Sequence, residues 1–389
     1  MTSLNLTLLF MIVAALVSIL AQRLRLPYTI ALVIAGLVAG SLHLFPSVNL
    51  TSEVLLTLVI PPLLFEAGLH LAPAHLRTYG LIIGLLSVFG TIVTALGISV
   101  AAGAVAHLPM RSALLLGAIA AAIDPVSVIA LIRETKLDPR LGAILEGEAV
   151  LNDGVAIVLF AIVASPGNIS VYHAAGQFVW LLGIGAIVGI VLAMGVSYLV
   201  GRVTQPLVEA LWSLILLVGS LITAERLGAS GVIAVMCAAI TFAIYGKRSL
   251  TGAGQETIRT LWDFIAFLTN SILFLFIGLK VPGALLFRHA GLIAVVFVAA
   301  LAVRAATVFG LSAISGRVGP DIPNAWRRVL VWGGLRGGVA IALILDLAPD
   351  LPGHEVIAAA IFGLVVLTLL VQGLSMSVLM RHLGLSPVA

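Results

Sequence analysis

The chain has 389 residues, of which 61% are hydrophobic and only 9% charged, and its formal net charge is +4. A soluble domain of this length needs far more charged surface, so the composition excludes that class and indicates a polytopic membrane protein. The twenty lysines and arginines are scattered through short connections, which argues against a nucleic-acid-binding face, and the single cysteine excludes a disulfide framework within the chain.

Apolar runs between polar or Gly/Pro breaks predict thirteen transmembrane helices, because a hydrocarbon core about 30 Å thick needs about 20 apolar residues per helix. In chain order these spans are residues 4–22, 28–45, 52–70, 79–106, 111–133, 141–165, 173–200, 206–224, 229–245, 258–280, 290–313, 326–347 and 355–380. No cleavable signal precedes the first run, so we expect it to be retained and no soluble domain to flank the membrane region.

The basic residues predict the orientation of these spans. Fourteen of the twenty lie in connections after odd-numbered spans and four in connections after even-numbered spans, and the remaining two are intramembrane. Because lysine and arginine accumulate in cytoplasmic loops, we expect the N-terminus outside and the C-terminus in the cytoplasm.

Six ionisable residues lie inside otherwise apolar spans, where a charge costs roughly 2.5 to 3.5 kcal/mol and is functional by default. They are Glu66 in span 3, Asp124 in span 5, Glu148 and Asp153 in span 6, Arg304 in span 11 and Arg336 in span 12. At about 1.5 Å per helical residue, the two aspartates and the two arginines reach one common depth. Opposite charges at one level can compensate one another, which predicts an ion-translocating protein.

Spans 5 and 12 each contain a helix-weakening element beside a charge. Pro125 follows Asp124 and removes a backbone donor, and four glycines between positions 333 and 338 flank Arg336. Glycine also serves close packing in membrane helices, but a charge within each break favours a functional interruption. Interrupted helices seven spans apart indicate inverted six-helix repeats with the ion site where the two breaks cross.

Span 6 presents its polar residues on different faces. Glu148 and Asn152 share one face, whereas Asp153 points about 140° away from Glu148 at 100° per residue. An arginine can therefore hold Glu148 while Asp153 faces a cavity. Glu146 lies nearer the cytoplasmic end, on the opposite side, as a solvated funnel residue.

Several segments together resemble the cation:proton antiporter-1 family of sodium/proton exchangers, NhaP-type in bacteria. The match runs in order over about 280 residues, and the segments that carry it are PPLLFEAG at 61–68, DPV at 124–126, Glu148 through NDG at 152–154, WDF at 262–264 with Asn270–Ser271, Arg304 and GGLRG at 333–337. The resemblance implies a homodimer whose core domain moves as an elevator. Dimerisation helices near 1–70 and 173–280 would be interleaved with core helices near 79–165 and 258–380, in a single transmembrane unit.

The family pattern also implies residue roles. Asp153 would bind either the cation or a proton, with Asn152 in the place of a second aspartate that electrogenic relatives carry. Glu148 would pair with Arg304, and Asp124 with Arg336, although the sequence leaves an exchanged pairing open. Glu66 would be structural.

Hard alkali cations take oxygen ligands, which the two aspartates, Asn152 and the Ile123 carbonyl can supply. Burial favours the protonated form of the Asp153 carboxyl, whereas nearby arginines favour the ionised form. This balance suits a group that exchanges a proton for a cation. Because Asn152 cannot ionise, we expect electroneutral 1:1 exchange of Na⁺ for H⁺, without a cofactor. Ile123 and Ala149 replace the family's usual threonine and serine, so Li⁺ and especially K⁺ stay open as alternatives.

Two other functions fit these residues less well. An intramembrane aspartyl hydrolase would use Asp124 and Asp153 as paired acids, but two arginines at the same depth keep both carboxylates ionised. A channel needs a continuous pore, usually with rings of repeated ligands, which one asymmetric site does not provide. We expect a transporter of a bacterial plasma membrane with lipids as its surroundings.

Overall fold

The computed structural model describes residues 3–24, 27–42, 51–124, 138–167, 170–281 and 283–385. These residues form helices joined by short connections, and we number the helices within the described ranges α1 to α15. They are α1 Ser3–Leu24, α2 Tyr28–Ser41, α3 Ser52–His70, α4 Pro73–Ala106, α5 Met110–Ala121, α6 Pro139–Ala164, α7 Val171–Val200, α8 Pro206–Arg226, α9 Gly231–Arg248, α10 Gly252–Lys280, α11 Gly283–Arg288, α12 Ala290–Ser315, α13 Asn324–Trp332, α14 Gly338–Asp346 and α15 His354–His382.

The helices confirm an all-helical polytopic membrane protein. Within the described residues, nine helices are long and apolar enough to cross a membrane. The other four predicted spans coincide with three shorter apolar helices, Phe10–Ala21, Tyr28–Ser41 and Met110–Ala121, and with the interrupted pair α13 and α14. Thirteen crossings therefore stay a prediction, and spans 1 to 10 carry the same numbers as α1 to α10.

Two helices begin six residues before the predicted boundaries. Helix α4 starts at Pro73 rather than at residue 79, and α10 starts at Gly252 rather than at residue 258. Proline suits the first turn of a helix, and the Thr251 side chain caps α10 by accepting the Gly254 N–H at 3.0 Å. The first turns of both helices are polar, so the apolar runs begin after them and the predicted spans left these turns in the connections.

Helices α2 and α10 cross with their backbones in contact. A Cβ atom on Gly36 would lie 2.9 Å from the Gly278 Cα, and one on Gly278 would lie 2.8 Å from the Gly36 Cα. Neither position can accept a larger residue without separating the helices. Small residues at such crossings allow the close packing that holds membrane helices together.

Three helices contain a π-helical turn. The turns are Leu55–Val59 in α3, Leu86–Gly90 in α4 and Thr368–Gly373 in α15. A π-turn shifts the faces of a helix and is frequent at functional sites. The turn in α15 lies against span 12, where the Thr368 hydroxyl accepts the Arg336 N–H, whereas the turn in α4 lies against α6, where Ser87 Oγ donates to the Glu148 carbonyl.

The interior holds seven buried ionisable side chains among the described residues. Six are those singled out from the sequence, and the seventh is Glu209. Glu209 accepts the Thr251 N–H at 3.3 Å and the Thr251 hydroxyl at 3.1 Å. A carboxylate at a helix N-terminus is electrostatically favourable, so Glu209 stabilises the start of α10.

Candidate functional site

The non-helical end of α5 touches the interruption in span 12. Helix α5 ends at Ala121, and the following residues to Asp124 are not helical. Span 12 is helical to Trp332 and again from Gly338. The Asp124 N–H donates to the Leu335 carbonyl at 2.8 Å, which joins the residues after α5 directly to the break in span 12. Pro125, to which the first break was attributed, lies outside the described residues.

Arg336 secures the end of α5. Its guanidinium donates to the carbonyls of Ala121 and Ala122 at 2.9 and 3.1 Å, while its own N–H donates to the Thr368 hydroxyl at 3.1 Å. A cation at a helix C-terminus satisfies carbonyls that have no intrahelical partner and is favoured by the helix dipole. Arg336 thus acts on the backbone beside Asp124, and its predicted ion pair with Asp124 stays a prediction.

Gly337 allows the two breaks to approach. A Cβ atom at this position would lie 2.5 Å from the Asp124 Cγ and 2.7 Å from its Oδ2. Real Cβ atoms do not come so close to other heavy atoms, so only glycine fits without displacing the carboxyl group. The glycine-rich segment therefore serves close approach as well as interruption of the helix.

Glu148 and Arg304 form a bidentate ion pair. Arg304 Nη1 lies 2.7 Å from Glu148 Oε1 and Nη2 lies 3.1 Å from Oε2, with both residues buried. The guanidinium also donates to the Leu330 carbonyl, from Nε at 3.0 Å and from Nη2 at 2.7 Å. The pair therefore ties α6 and α12 to the first half of span 12.

Asn152 holds the first break in place. Its Oδ1 accepts the Ile123 N–H at 2.7 Å, and its Nδ2 donates to the Thr91 hydroxyl on α4. The amide thus satisfies a backbone donor that the interrupted helix leaves free. The structure gives Asn152 a backbone partner, and its role as a cation ligand, like that of the Ile123 carbonyl, stays a prediction.

Asp153 is the buried acid at the centre of this arrangement. The residue is 1% exposed, and its Oδ1 has no hydrogen-bond partner among the described residues. It interacts electrostatically with Asp124 from one break and with Arg336 from the other. A buried carboxylate oxygen without a partner is costly, so a proton or a cation at this position would stabilise the site.

The two remaining sequence candidates lie elsewhere in the structure. Glu146 is half-buried on α6, two residues before Glu148. Glu66 on α3 faces His70, whose Nδ1 lies 3.2 Å from Glu66 Oε1, while His70 Nε2 lies 3.4 Å from Asp263 Oδ1 on α10. Because each ring nitrogen faces a different carboxylate, the histidine bridges two helices.

A cavity of about 430 Å³ lies beside this bridge, lined by His70, Lys247, Arg259 and Trp262 among others. The family resemblance implied a structural role for Glu66 alone and did not include this bridge. The signal available was the spacing of four residues between Glu66 and His70, which places both side chains on one helix face. The partner Asp263 could not be found that way, because it lies on a different helix.

Comparisons with known proteins agree with this architecture. The family model described as "Sodium/hydrogen exchanger, transmembrane" matches residues 10–382. The Na(+)/H(+) antiporter ApNhaP of Aphanothece halophytica is 39% identical over 367 residues, covering 93% of this chain and 70% of that protein. The Na(+)/H(+) antiporter NhaH of Halobacillus aidingensis is 31% identical, with 97% of each protein covered.

A solved structure shows the same fold. The sodium proton antiporter MjNhaP1 of Methanocaldococcus jannaschii superposes with a TM-score of 0.81 at 19% identity, covering 98% of each chain. This family comprises transporters and not enzymes, which removes the hydrolase alternative. The chain therefore belongs to the sodium/hydrogen exchanger family of integral membrane proteins.

Proposed function

We propose that this protein exchanges Na⁺ for H⁺ across a membrane, with Asp153 as the group that binds either ion. The observation that carries the proposal is the buried Asp153 carboxyl, whose Oδ1 has no hydrogen-bond partner among the described residues and which interacts with charges from both breaks. The printed names of the relatives, which are Na(+)/H(+) antiporters, support the choice of ions.

The exchange works because one buried carboxylate cannot stay uncompensated. When Asp153 releases its proton, the resulting charge is neutralised by an alkali cation, with oxygen ligands from Asp124 and the Ile123 carbonyl. When the cation leaves, a proton replaces it. Since Asn152 carries no charge in either state, each cycle moves one cation against one proton and no net charge. Potassium or lithium exchange on the same fold is the alternative, because Ala149 lacks a hydroxyl.

The wider architecture is part of the proposal. We infer thirteen spans in two inverted repeats, with the N-terminus outside and the C-terminus in the cytoplasm of a bacterial plasma membrane. Two copies would dimerise through helices near 1–70 and 173–280, while core helices near 79–165 and 258–380 carry the site across as an elevator. The hydrogen bond between Asp124 and Leu335, which both lie in the core ranges, supports this division.

Proteoliposomes with a pH-sensitive dye inside test the function directly. An imposed sodium gradient should drive proton flux that does not change when the membrane potential is clamped with potassium and valinomycin, and clear voltage dependence would refute electroneutral exchange. Separate additions of sodium, lithium and potassium identify the cation. Asp153→Asn should abolish flux while the protein stays folded, whereas Asp350→Asn, at an exposed loop position, should retain it. Flux in the Asp153 variant would remove that residue from its role.

A further inference from the structure

Two hydroxyl side chains on α4 form hydrogen bonds with α6, and one of them bonds to Asn152, which holds the end of α5. Thr91 accepts a hydrogen bond from Asn152 Nδ2, and Ser87 Oγ donates to the Glu148 carbonyl at 3.2 Å. Thr91 is 1% exposed, Ser87 is 0% exposed and Asn152 is 2% exposed. Ser87 lies within the π-turn Leu86–Gly90 and Thr91 directly follows it, so the turn presents both hydroxyls to α6.

The hydrogen bonds that link Ile123, Asn152, Thr91 and Ser87 have fixed directions. The single Thr91 hydroxyl proton is donated to the Ser87 carbonyl at 2.5 Å, so only oxygen lone pairs face Asn152. At the other end of the amide, the Ile123 N–H needs an acceptor. Both ends therefore require the same orientation, with the amide nitrogen toward Thr91 and the amide oxygen toward Ile123. An apolar residue at position 91 would leave only the Ile123 end to orient the amide.

The orientation of the Asn152 amide affects the cation site because it positions the backbone of Ile123 and Asp124. The Asn152 side chain accepts the Ile123 N–H, and the Leu335 carbonyl accepts the N–H of the next residue, Asp124, at 2.8 Å. Two consecutive amides of the break are thus fixed from opposite sides. Their positions determine where the Ile123 carbonyl and the Asp124 carboxyl lie relative to Asp153.

We propose that Thr91 is a positioning residue for cation binding, which rests on the proposed function. It orients Asn152, which in turn fixes the Ile123–Asp124 backbone beside Asp153. The supporting hydroxyls come from α4, whereas positions 123 and 149 carry an isoleucine and an alanine. The affinity of the site for its cation therefore depends on a helix that contributes no ligand of its own.

Three variants of the full-length protein test this inference. Thr91→Val keeps the shape and removes the hydroxyl, whereas Thr91→Ser keeps the hydroxyl. Thr94→Val is the matched control, because Thr94 is also buried on α4 and Asn152 bonds to Thr91 instead. A buried amide left without its partner is destabilised, because it has given up its hydrogen bond to water and gained none in exchange. We expect Thr91→Val to raise the apparent KM for Na⁺ roughly tenfold, which is about 1.4 kcal/mol, with kcat within about threefold of wild type.

Hydrogen–deuterium exchange gives a second readout that does not depend on transport. The segment 119–124, which contains the Ile123 amide, should exchange faster in Thr91→Val and at the wild-type rate in Thr91→Ser and Thr94→Val. An unchanged KM together with unchanged exchange in Thr91→Val would overturn the inference. So would equal defects in the serine variant, which would show that packing of the methyl group matters. If the wild type shows no sodium-driven proton flux, the proposed function fails, and the amide exchange still decides the role of Thr91.

Discussion

Replacing Glu148 by glutamine should destabilise the protein by leaving a buried guanidinium without its counter-charge. Arg304 is 6% exposed and Glu148 is 2% exposed, with Nη–Oε distances of 2.7 and 3.1 Å. After the substitution, the Leu330 carbonyl remains as a neutral acceptor for Arg304. Removing one partner of a buried ion pair typically costs about 3 to 5 kcal/mol, because the other charge stays desolvated.

This loss of stability should lower the melting temperature. At roughly 2.1 cal/mol/K of unfolding entropy per residue, a chain of this length has about 0.8 kcal/mol/K, so the midpoint should fall by about 4 to 6 °C. The assay is a thermal melt of the purified protein in detergent, followed by the fluorescence of its buried tryptophans. Asp153→Asn is the comparison, because its Oδ1 has no hydrogen-bond partner among the described residues to lose, and its midpoint should stay within about 1 °C of wild type.

A double variant separates charge from packing. Adding Arg304→Gln to Glu148→Gln removes the uncompensated charge and should recover part of the lost midpoint, since coupled residues are not additive. A Glu148→Gln protein that melts within about 1 °C of wild type would refute the reasoning. An equal fall in Asp153→Asn would do the same, because the cost would then follow any loss of a buried carboxylate and not the ion pair.

Two further substitutions test the breaks and the start of α6. Gly337→Ala places a Cβ atom 2.5 Å from the Asp124 Cγ and should reduce the rate of Na⁺/H⁺ exchange at least about tenfold. Gly310→Ala is the control, because this glycine faces open space on α12, and its transport rate should match wild type. Equal transport rates in both variants would refute the packing argument. Asp138→Ala removes the N-cap of α6 and should cost about 1 kcal/mol in a thermal melt. Hydrogen bonds from Arg140 hold the pKa of Asp138 below its usual value, so this contribution is complete above the ordinary aspartate range and is lost as the pH falls through the lowered value. If the difference in stability between wild type and Asp138→Ala increased as the pH fell, this predicted pH dependence would be wrong.

The sequence was sufficient for the membrane class and for the buried charges. Hydropathy identified apolar segments that coincide with the described helices, and all six intramembrane charges are buried in the structure. It also located the interruption in span 12, since glycine acts on the backbone of its own helix. The polar first turns of α4 and α10 were missed because they are not apolar, although they are helical.

The contacts between helices were beyond the sequence. Arg336 secures Ala121 and Ala122, and Asn152 secures Ile123, across distances of 215, 214 and 29 residues along the chain. Nor did any local pattern single out Thr91, Ser87 or the contact of His70 with Asp263. Composition and periodicity determine which side chains must leave the lipid, because burial of charge in hydrocarbon is costly for any fold. Which groups then meet depends on how helices cross, and only the tertiary structure decided that.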